Sequence, residues 1–252
     1  KPNIAYLAIV GDMDKAEAEK VVKQYFGNWQ RGEVPKFTYP MPERASKRAV
    51  ALVDRSSSVQ SVINLTQPVQ MKVGDPDYIS SRLLNQVLGG GSASRLFMNL
   101  REDKGYTYGA SSGFQANREA GIFATGANVR TDATADAIRQ FLKEMDNYRK
   151  SGPTPVELAY MRSAVSQQDA LSYETLGQKA GFLLQMIMYG LKPDYVQAQN
   201  QLIKTVSPEV LKASAARWLD PADMVIVVVG DKQKLEKPLK ELHLPIYPLQ
   251  LP

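Results

Sequence analysis

Apolar residues follow two spacings along the 252-residue chain, and the two spacings predict strands and helices in a mixed order. Short apolar or alternating runs predict strands at Ile4–Val10, Ala49–Asp54, Ser61–Gln67, Tyr106–Ala116 and Gly121–Val129, and another within Ala222–Asp231. Longer segments with apolar residues every three or four positions predict helices between them. Strands that follow one another and helices that occur in runs indicate an α+β fold, with an antiparallel-rich mixed sheet packed against several helices.

Local signals mark where several of these helices begin. Asp75-Pro76 and Ser207-Pro208 each place a capping residue before a proline at the first helical position. Thr154 to Glu157 forms a capping box, which again predicts a helix start. A turn through residues 117–120 joins two predicted strands and favours a hairpin.

The two ends of the chain resemble each other. Asn3–Asp12 and Ala222–Asp231 each read as a buried strand that ends in Gly-Asp, and a predicted helix follows both. The proline-rich and charged stretch from Gly32 to Arg48 reads as a linker. We therefore expect residues 1–40 to be the tail of a preceding homologous half plus a linker, and residues 41–252 to form a complete second half. On this interpretation the chain continues a longer protein.

Composition excludes several kinds of chemistry. The chain has no cysteine, so it has neither disulfides nor thiolate ligands, and His243 is its only histidine. A catalytic zinc site needs two or three imidazoles, or imidazole with carboxylates, so we expect no metal in this chain. The net charge of +5 includes no basic run long enough to follow a nucleic-acid backbone. No apolar segment reaches the roughly 20 residues of a membrane-spanning helix.

The glycine run Gly89-Gly90-Gly91, followed by Ser92, has three interpretations. A phosphate-binding loop would need a preceding strand and a terminal Lys-Ser/Thr pair, whereas this run follows a predicted helix and continues as Ala-Ser-Arg. A plain connection between two helices is the simplest alternative. The third is a wall beside a bound peptide, because small side chains let another backbone approach closely.

Arg101 and Tyr108 are the remaining candidates for chemistry. Arg101 falls in the last turn of a helix predicted over Ala93–Lys104, and Gly105 can reverse the chain there. Tyr108 shares one face of the following predicted strand with Tyr106. The arginine could simply offset the helix dipole, with the tyrosines as strand formers at the rim of the core. Alternatively, a guanidinium and a phenol could donate hydrogen bonds to one carbonyl oxygen that gains charge during hydrolysis.

The segment GGGSASRLFMNLREDKGYTYG closely resembles the second-half signature of the pitrilysin-type zinc peptidases, which include insulin-degrading enzymes and the mitochondrial processing peptidase. Besides the glycine run, the matching positions are Ser94-Arg95-Leu96-Phe97, Leu100-Arg101-Glu102, Gly105 and Tyr108. Tyr106 stands where many relatives have an aliphatic residue, and Gly109 where many have serine. The resemblance extends over residues 49–252 as one processing-peptidase-type half-unit, with 1–40 as the end of the preceding half.

The resemblance implies a division of labour between two halves. A partner half, in the same chain or as the other subunit of a heterodimer, would carry zinc on His-x-x-Glu-His, and the glutamate would activate water. This chain would be inactive alone. It would bind the peptide substrate through Arg101 and Tyr108 as catalytic residues, with Gly89, Gly90, Gly91, Ser92 and Tyr106 as further substrate contacts.

Two other functions stay open at this point. The chain could be an inert scaffold of the same fold, like the core subunits of the respiratory bc1 complex, or a peptide-binding module that needs no partner. The retained Arg101/Tyr108 pair favours the enzyme component, because a scaffold needs neither residue. Relatives of this kind occur in several compartments, and a periplasmic location is favoured if the chain comes from a Gram-negative bacterium.

Overall fold

A computed structural model describes residues 1–45 and 47–250. The helices are α1 (Lys15–Phe26), α2 (Pro76–Leu88), α3 (Arg95–Phe97), α4 (Thr134–Ser151), α5 (Pro155–Leu171), α6 (Leu176–Tyr189), α7 (Tyr195–Thr205), α8 (Pro208–Trp218) and α9 (Lys232–Lys240). The strands are β1 (Ala49–Asp54), β2 (Gln60–Val69), β3 (Ala110–Ala116), β4 (Gly121–Arg130), β5 (Val225–Gly230) and β6 (Ile246–Pro248). A π-helical stretch, Met98–Asp103, directly continues α3.

Six strands in the described residues form one mixed sheet in the order β3-β4-β2-β5-β1-β6. Three neighbouring pairs are antiparallel, whereas β1 runs parallel to both β5 and β6. The predicted α+β class with an antiparallel-rich sheet is confirmed. β1 and β2 follow each other in sequence but do not pair, because β5 lies between them.

The chain divides into two compact units. One contains Lys1–Pro40 and Ser166–Asn200, and the other contains Met41–Val165 and the segment from Gln201 onward. In the first unit, α1 and α6 both begin with a capping box, formed by Asp14 with Glu17 and by Thr175 with Gln178. The assignment of residues 1–40 to a preceding half stays a prediction.

The core of the larger unit lies against one face of the sheet. Burial alternates along β2, where Ile63, Leu65, Gln67 and Val69 are buried and the residues that alternate with them are more exposed. This alternation is the pattern of a strand covered on one side. Helices α2 and α4 contact the sheet and supply buried side chains such as Leu84 and Phe141 to the same core.

The predicted helix starts at Asp75-Pro76, Thr154 and Ser207-Pro208 are confirmed, since α2, α5 and α8 begin there. In the Thr154 box, the Thr154 N–H donates to Glu157 Oε2 (2.7 Å) and the Glu157 N–H donates to Thr154 Oγ1 (3.3 Å). The predicted hairpin is also confirmed, because β3 and β4 pair antiparallel and the Asn117 N–H bonds the Ala120 carbonyl. Local chemistry was sufficient to predict these features.

The predicted buried strand at Ile4–Val10 is wrong. The chain has a short 3₁₀ turn at Pro2–Ile4, residues 5–10 form no strand, and Leu7 is 54% exposed. A strand needs a neighbour to accept its backbone hydrogen bonds, and none of the six strands pairs with this segment. The corresponding segment near the other end does form the strand β5, since β1 and β2 flank it there.

Candidate functional site

Arg101 lies in the π-helical stretch rather than in a regular helix. The Lys104 N–H donates to the Asn99 carbonyl five residues back (3.0 Å), which is the π-helical pattern. The Arg101 guanidinium stacks over the Phe97 ring at 4.8 Å, and its Nε lies 3.4 Å from Glu102. Its side chain is nevertheless 46% exposed. The Glu102 pair is therefore weak, and the Arg101 charge can reach a ligand.

Gly105 ends this stretch in the left-handed region, with φ of +62°, as the sequence predicts. Its N–H donates to the Arg101 carbonyl at 3.1 Å. The backbone N–H and the backbone carbonyl of the next residue, Tyr106, are both hydrogen-bonded. Its N–H donates to the Leu100 carbonyl (2.9 Å), and its carbonyl accepts from the Arg130 N–H (3.1 Å).

The predicted strand over Tyr106–Ala116 begins four residues late, at Ala110. Thr107 Oγ1 both donates to the Gly109 carbonyl (2.9 Å) and accepts from the Gly109 N–H (3.1 Å). A side chain that bonds its own backbone two residues on favours a turn over a strand. Tyr106 and Tyr108 therefore lie in a structured loop before β3, and do not share a strand face.

The two tyrosines of this loop have different surroundings. The Tyr106 hydroxyl donates to Asp136 Oδ2 on α4 at 2.9 Å. This hydrogen bond, with some burial, raises the pKa of the Tyr106 phenol, because the carboxylate stabilises the protonated form. Tyr108 is 88% exposed, the most exposed large hydrophobic or aromatic side chain among the described residues. Of the two, Tyr108 is the one whose hydroxyl is available to a ligand.

Arg95, six positions before Arg101, has the opposite environment. Its Nε and Nη2 donate to the two oxygens of Glu157 (2.6 and 2.8 Å), and Nη2 also donates to the Gly152 carbonyl (2.8 Å). The guanidinium covers the Tyr148 ring at 4.7 Å, and the side chain is only 13% exposed. Arg95 thereby connects α3 to the C-terminal end of α4 and to the first turn of α5.

The glycine run packs against the edge strand β3. The Ser112 N–H donates to the Gly89 carbonyl (3.1 Å), and Asn85 Nδ2 donates to the Ser112 carbonyl (2.9 Å). A Cβ on Gly89 would lie within 2.5 Å of the Ser112 nitrogen. Gly89 therefore has a packing role, because only glycine allows this close approach.

The other members of the run lie nearer the surface. Gly90 and Gly91 are partly exposed and Ser92 is exposed. A Cβ on Gly91 would approach the Tyr160 hydroxyl to 2.9 Å. Contact between this run and a peptide stays a prediction.

The donor side chains of this chain do not fit a catalytic zinc ion. Within residues 1–45 and 47–250, no three His, Asp or Glu side chains are placed so that they could hold a metal. His243 is exposed and lies just after α9, in the left-handed backbone region with φ of +54°. No helix in the same described ranges is long and apolar enough to cross a membrane.

Sequence reasoning missed a polar network behind the loop. Asn99 Nδ2 on the π-helical stretch donates to Gln140 Oε1 (3.2 Å), and Gln140 Nε2 donates to Asp136 Oδ2 (3.2 Å). Asn99 Nδ2 also donates to Glu144 Oε1 at 2.7 Å. Asp136, Gln140 and Glu144 are spaced four apart, so they form one stripe along α4. A polar stripe beside the apolar face of α4 was the signal available in the sequence.

Comparisons with known proteins bear on the family and the fold of the chain. The family model described as the peptidase M16 inactive domain matches residues 1–165. An uncharacterized zinc protease of Streptomyces coelicolor is 25% identical over 243 residues, which cover 92% of this chain and 52% of that protein. A probable inactive metalloprotease of Bacillus subtilis is 23% identical over 215 residues, covering 85% of this chain and 49% of that protein.

Among solved structures, a peptidase M16 inactive domain from Pseudomonas fluorescens superposes with a TM-score of 0.79 and 26% identity. The match covers 88% of this chain and 52% of that one. The chain thus spans about half the length of the curated relatives that it matches. It belongs to the inactive-domain family of the M16, or pitrilysin-type, zinc peptidases.

Proposed function

We propose that this chain is the substrate-binding half of an M16 peptidase and acts together with a homologous zinc-bearing half. In this assignment Arg101 and Tyr108 donate hydrogen bonds to the carbonyl oxygen of the peptide bond under attack. The observation that carries the proposal is the exposure of both side chains on a tightly bonded backbone. Tyr108 is 88% exposed, although the loop before it is held by three backbone hydrogen bonds.

The chemistry suits a carbonyl oxygen that becomes negatively charged. A guanidinium carries a permanent charge, and a phenol donates one hydrogen bond without needing to ionise. Donors held ready before the reaction stabilise the developing charge without reorganising. When bound in the partner half, zinc with its His-x-x-Glu-His motif would supply activated water.

The π-helical stretch around Arg101 also favours a site. Such stretches are rare and occur often at functional sites, because they displace side chains from the regular helical pattern. A purely structural arginine at this position would be buried and multiply bonded, as Arg95 is. Arg101 has one weak ion pair and an aromatic neighbour instead.

Reconstitution with the zinc-bearing half, assayed on internally quenched peptides, tests the proposal. Arg101→Ala and Tyr108→Phe should each lower turnover by roughly 10²–10³, with the zinc content of the complex unchanged. Arg82→Ala and Tyr247→Phe are matched controls, since both residues are exposed and lie outside the site. Near-normal turnover in both site variants would contradict the assignment.

An inert scaffold is the second candidate, and one observation favours it. The Bacillus subtilis relative is described as a probable inactive metalloprotease. If the chain is an inert scaffold, adding it should not raise turnover above that of the zinc-bearing half alone. A stand-alone binding module predicts instead that the chain binds the same peptides with no partner present.

A further inference from the structure

Four side chains link the segment that carries Arg101 to the loop that carries Tyr108. They are Asn99, Gln140, Asp136 and Tyr106, here called the Asn99–Tyr106 network. Asn99 donates to Gln140, Gln140 donates to Asp136, and the Tyr106 hydroxyl donates to the same Asp136 oxygen. Each of these three bonds joins a donor to an acceptor, so the network is continuous from one segment to the other.

The ends of the network lie two residues from the two candidate catalytic side chains. Asn99 precedes Arg101 by two positions, and Tyr106 precedes Tyr108 by two. Helical residues two apart do not face each other, so Asn99 can turn toward α4 while Arg101 stays exposed. At the other end, Tyr106 is half-buried against α4 while Tyr108 is exposed. In both pairs, the residue that belongs to the network is held against α4, and the candidate catalytic residue is exposed.

The middle of the network lies on a helix packed into the core. Asp136 and Gln140 lie one turn apart on α4, a helix of 18 residues whose apolar face is in the core. Gln140 is only 9% exposed, which shields its hydrogen bonds from competing water. Arg139 lies 3.8 Å from the second Asp136 oxygen and balances its charge.

We propose that Tyr106 is a positioning residue, which fixes the loop bearing Tyr108 relative to Arg101 through Asp136 and Gln140. This inference rests on the proposed function, and it replaces direct substrate contact as the role of the Tyr106 hydroxyl. Small displacements matter at such a site, because a misplacement of about 1 Å can cost roughly 10²-fold in rate.

The kinetic test uses Tyr106→Phe in the complete protease, alone and combined with Tyr108→Phe, on internally quenched peptides. Tyr106→Phe should lower kcat by about tenfold or more, while KM changes by less than about twofold. Asp136→Asn should lower kcat in the same direction. In the Tyr108→Phe background the Tyr106→Phe effect should shrink below about twofold, because the residue through which it acts is already disabled. An equal loss in both backgrounds overturns the inference.

Amide hydrogen exchange provides a readout that does not depend on activity. In the Tyr106→Phe chain, the amides of Gly105, Tyr106 and Arg130 should exchange faster. Ser207→Ala is the matched control, since it removes the hydroxyl that caps α8 through the Val210 N–H. It should speed exchange in α8 alone and leave kcat unchanged. Unaltered exchange at Gly105 and Tyr106 in Tyr106→Phe also overturns the inference.

The proposed function and the positioning role of Tyr106 can be rejected separately. Full turnover in Arg101→Ala and Tyr108→Phe rejects the proposed function and, with it, the positioning role. Lost turnover in those variants with normal kcat in Tyr106→Phe rejects the positioning role alone.

Discussion

Arg95 and Arg101 occupy the same short helical segment, yet their surroundings are opposite. Arg95 has a side chain only 13% exposed, makes three hydrogen bonds and covers an aromatic ring. Arg101 is half-exposed, with one weak ion pair to Glu102. Both fall in register with the family signature, so the motif alone does not distinguish them. Their surroundings do: Arg95 makes three hydrogen bonds within the fold, whereas Arg101 is exposed enough to reach a ligand.

The largest expected effect on stability comes from Arg95→Ala. The variant leaves the Glu157 carboxylate partly buried without its guanidinium, which should lower the free energy of unfolding by about 3–5 kcal/mol. Urea unfolding of the purified chain measures the loss. Arg95→Lys keeps the charge but not the two-pronged geometry, so an intermediate loss is expected. A loss below about 1 kcal/mol in Arg95→Ala would mean that the pair behaves like a surface ion pair.

Gly89→Ala should lower the free energy of unfolding by less than Arg95→Ala does, by about 1–3 kcal/mol. The reason is that the added Cβ would be forced against the backbone of Ser112. The φ of Gly89 is negative, at −155°, so the expected cost comes from this contact and not from a left-handed backbone. Gly113→Ala is the control on β3, since a Cβ there meets nothing within 4 Å. Equal melting temperatures of the two variants in thermal unfolding would contradict the packing role of Gly89.

Acid should weaken the contribution of the Arg95–Glu157 pair to stability. Burial raises the pKa of Glu157, but hydrogen bonds from Arg95 and Thr154 outweigh it and bring the pKa below its usual 4.5. A carboxylate with a depressed pKa stabilises the fold above its unfolded pKa, and this contribution is lost as the pH falls through the folded value. The stability difference between wild type and Glu157→Gln should therefore narrow below about pH 4.5. A difference that stays constant from pH 7 to pH 3 would show that the Glu157 pKa is not depressed.

The smallest effect on stability is expected for Arg101→Ala, within about 0.5 kcal/mol of wild type. The same variant should lose most of its turnover in the complete protease, so stability and activity separate at this position. A loss of stability comparable to that of Arg95→Ala would instead make Arg101 a second structural arginine.

Sequence reasoning succeeded where the controlling interactions are local. The starts of α2, α5 and α8, the β3–β4 hairpin and the left-handed Gly105 all depend on residues within a few positions of each other. It failed at Ile4–Val10, because a strand is decided by distant neighbours. It also placed Tyr106 in a strand, since the Thr107 side chain that turns the chain there was not recognised.

The candidate site was predictable as a set of residues but not as an arrangement. Resemblance to the family selected Arg101 and Tyr108, and nothing local revealed the π-helical stretch or the bond from Tyr106 to Asp136. That bond joins residues 30 positions apart. Predicting it would have required knowing that α4 packs behind the loop.

The most direct measurement compares two ligands of the complete protease. One is a phosphinic peptide, which imitates the tetrahedral, negatively charged transition state, and the other is a non-cleavable peptide with the same side chains. Tyr108→Phe and Arg101→Ala should weaken binding of the phosphinic peptide by roughly 10²–10³, and binding of the ground-state peptide by less than about tenfold. Equal weakening of both ligands, or none, would contradict the assignment of Arg101 and Tyr108 to the carbonyl oxygen.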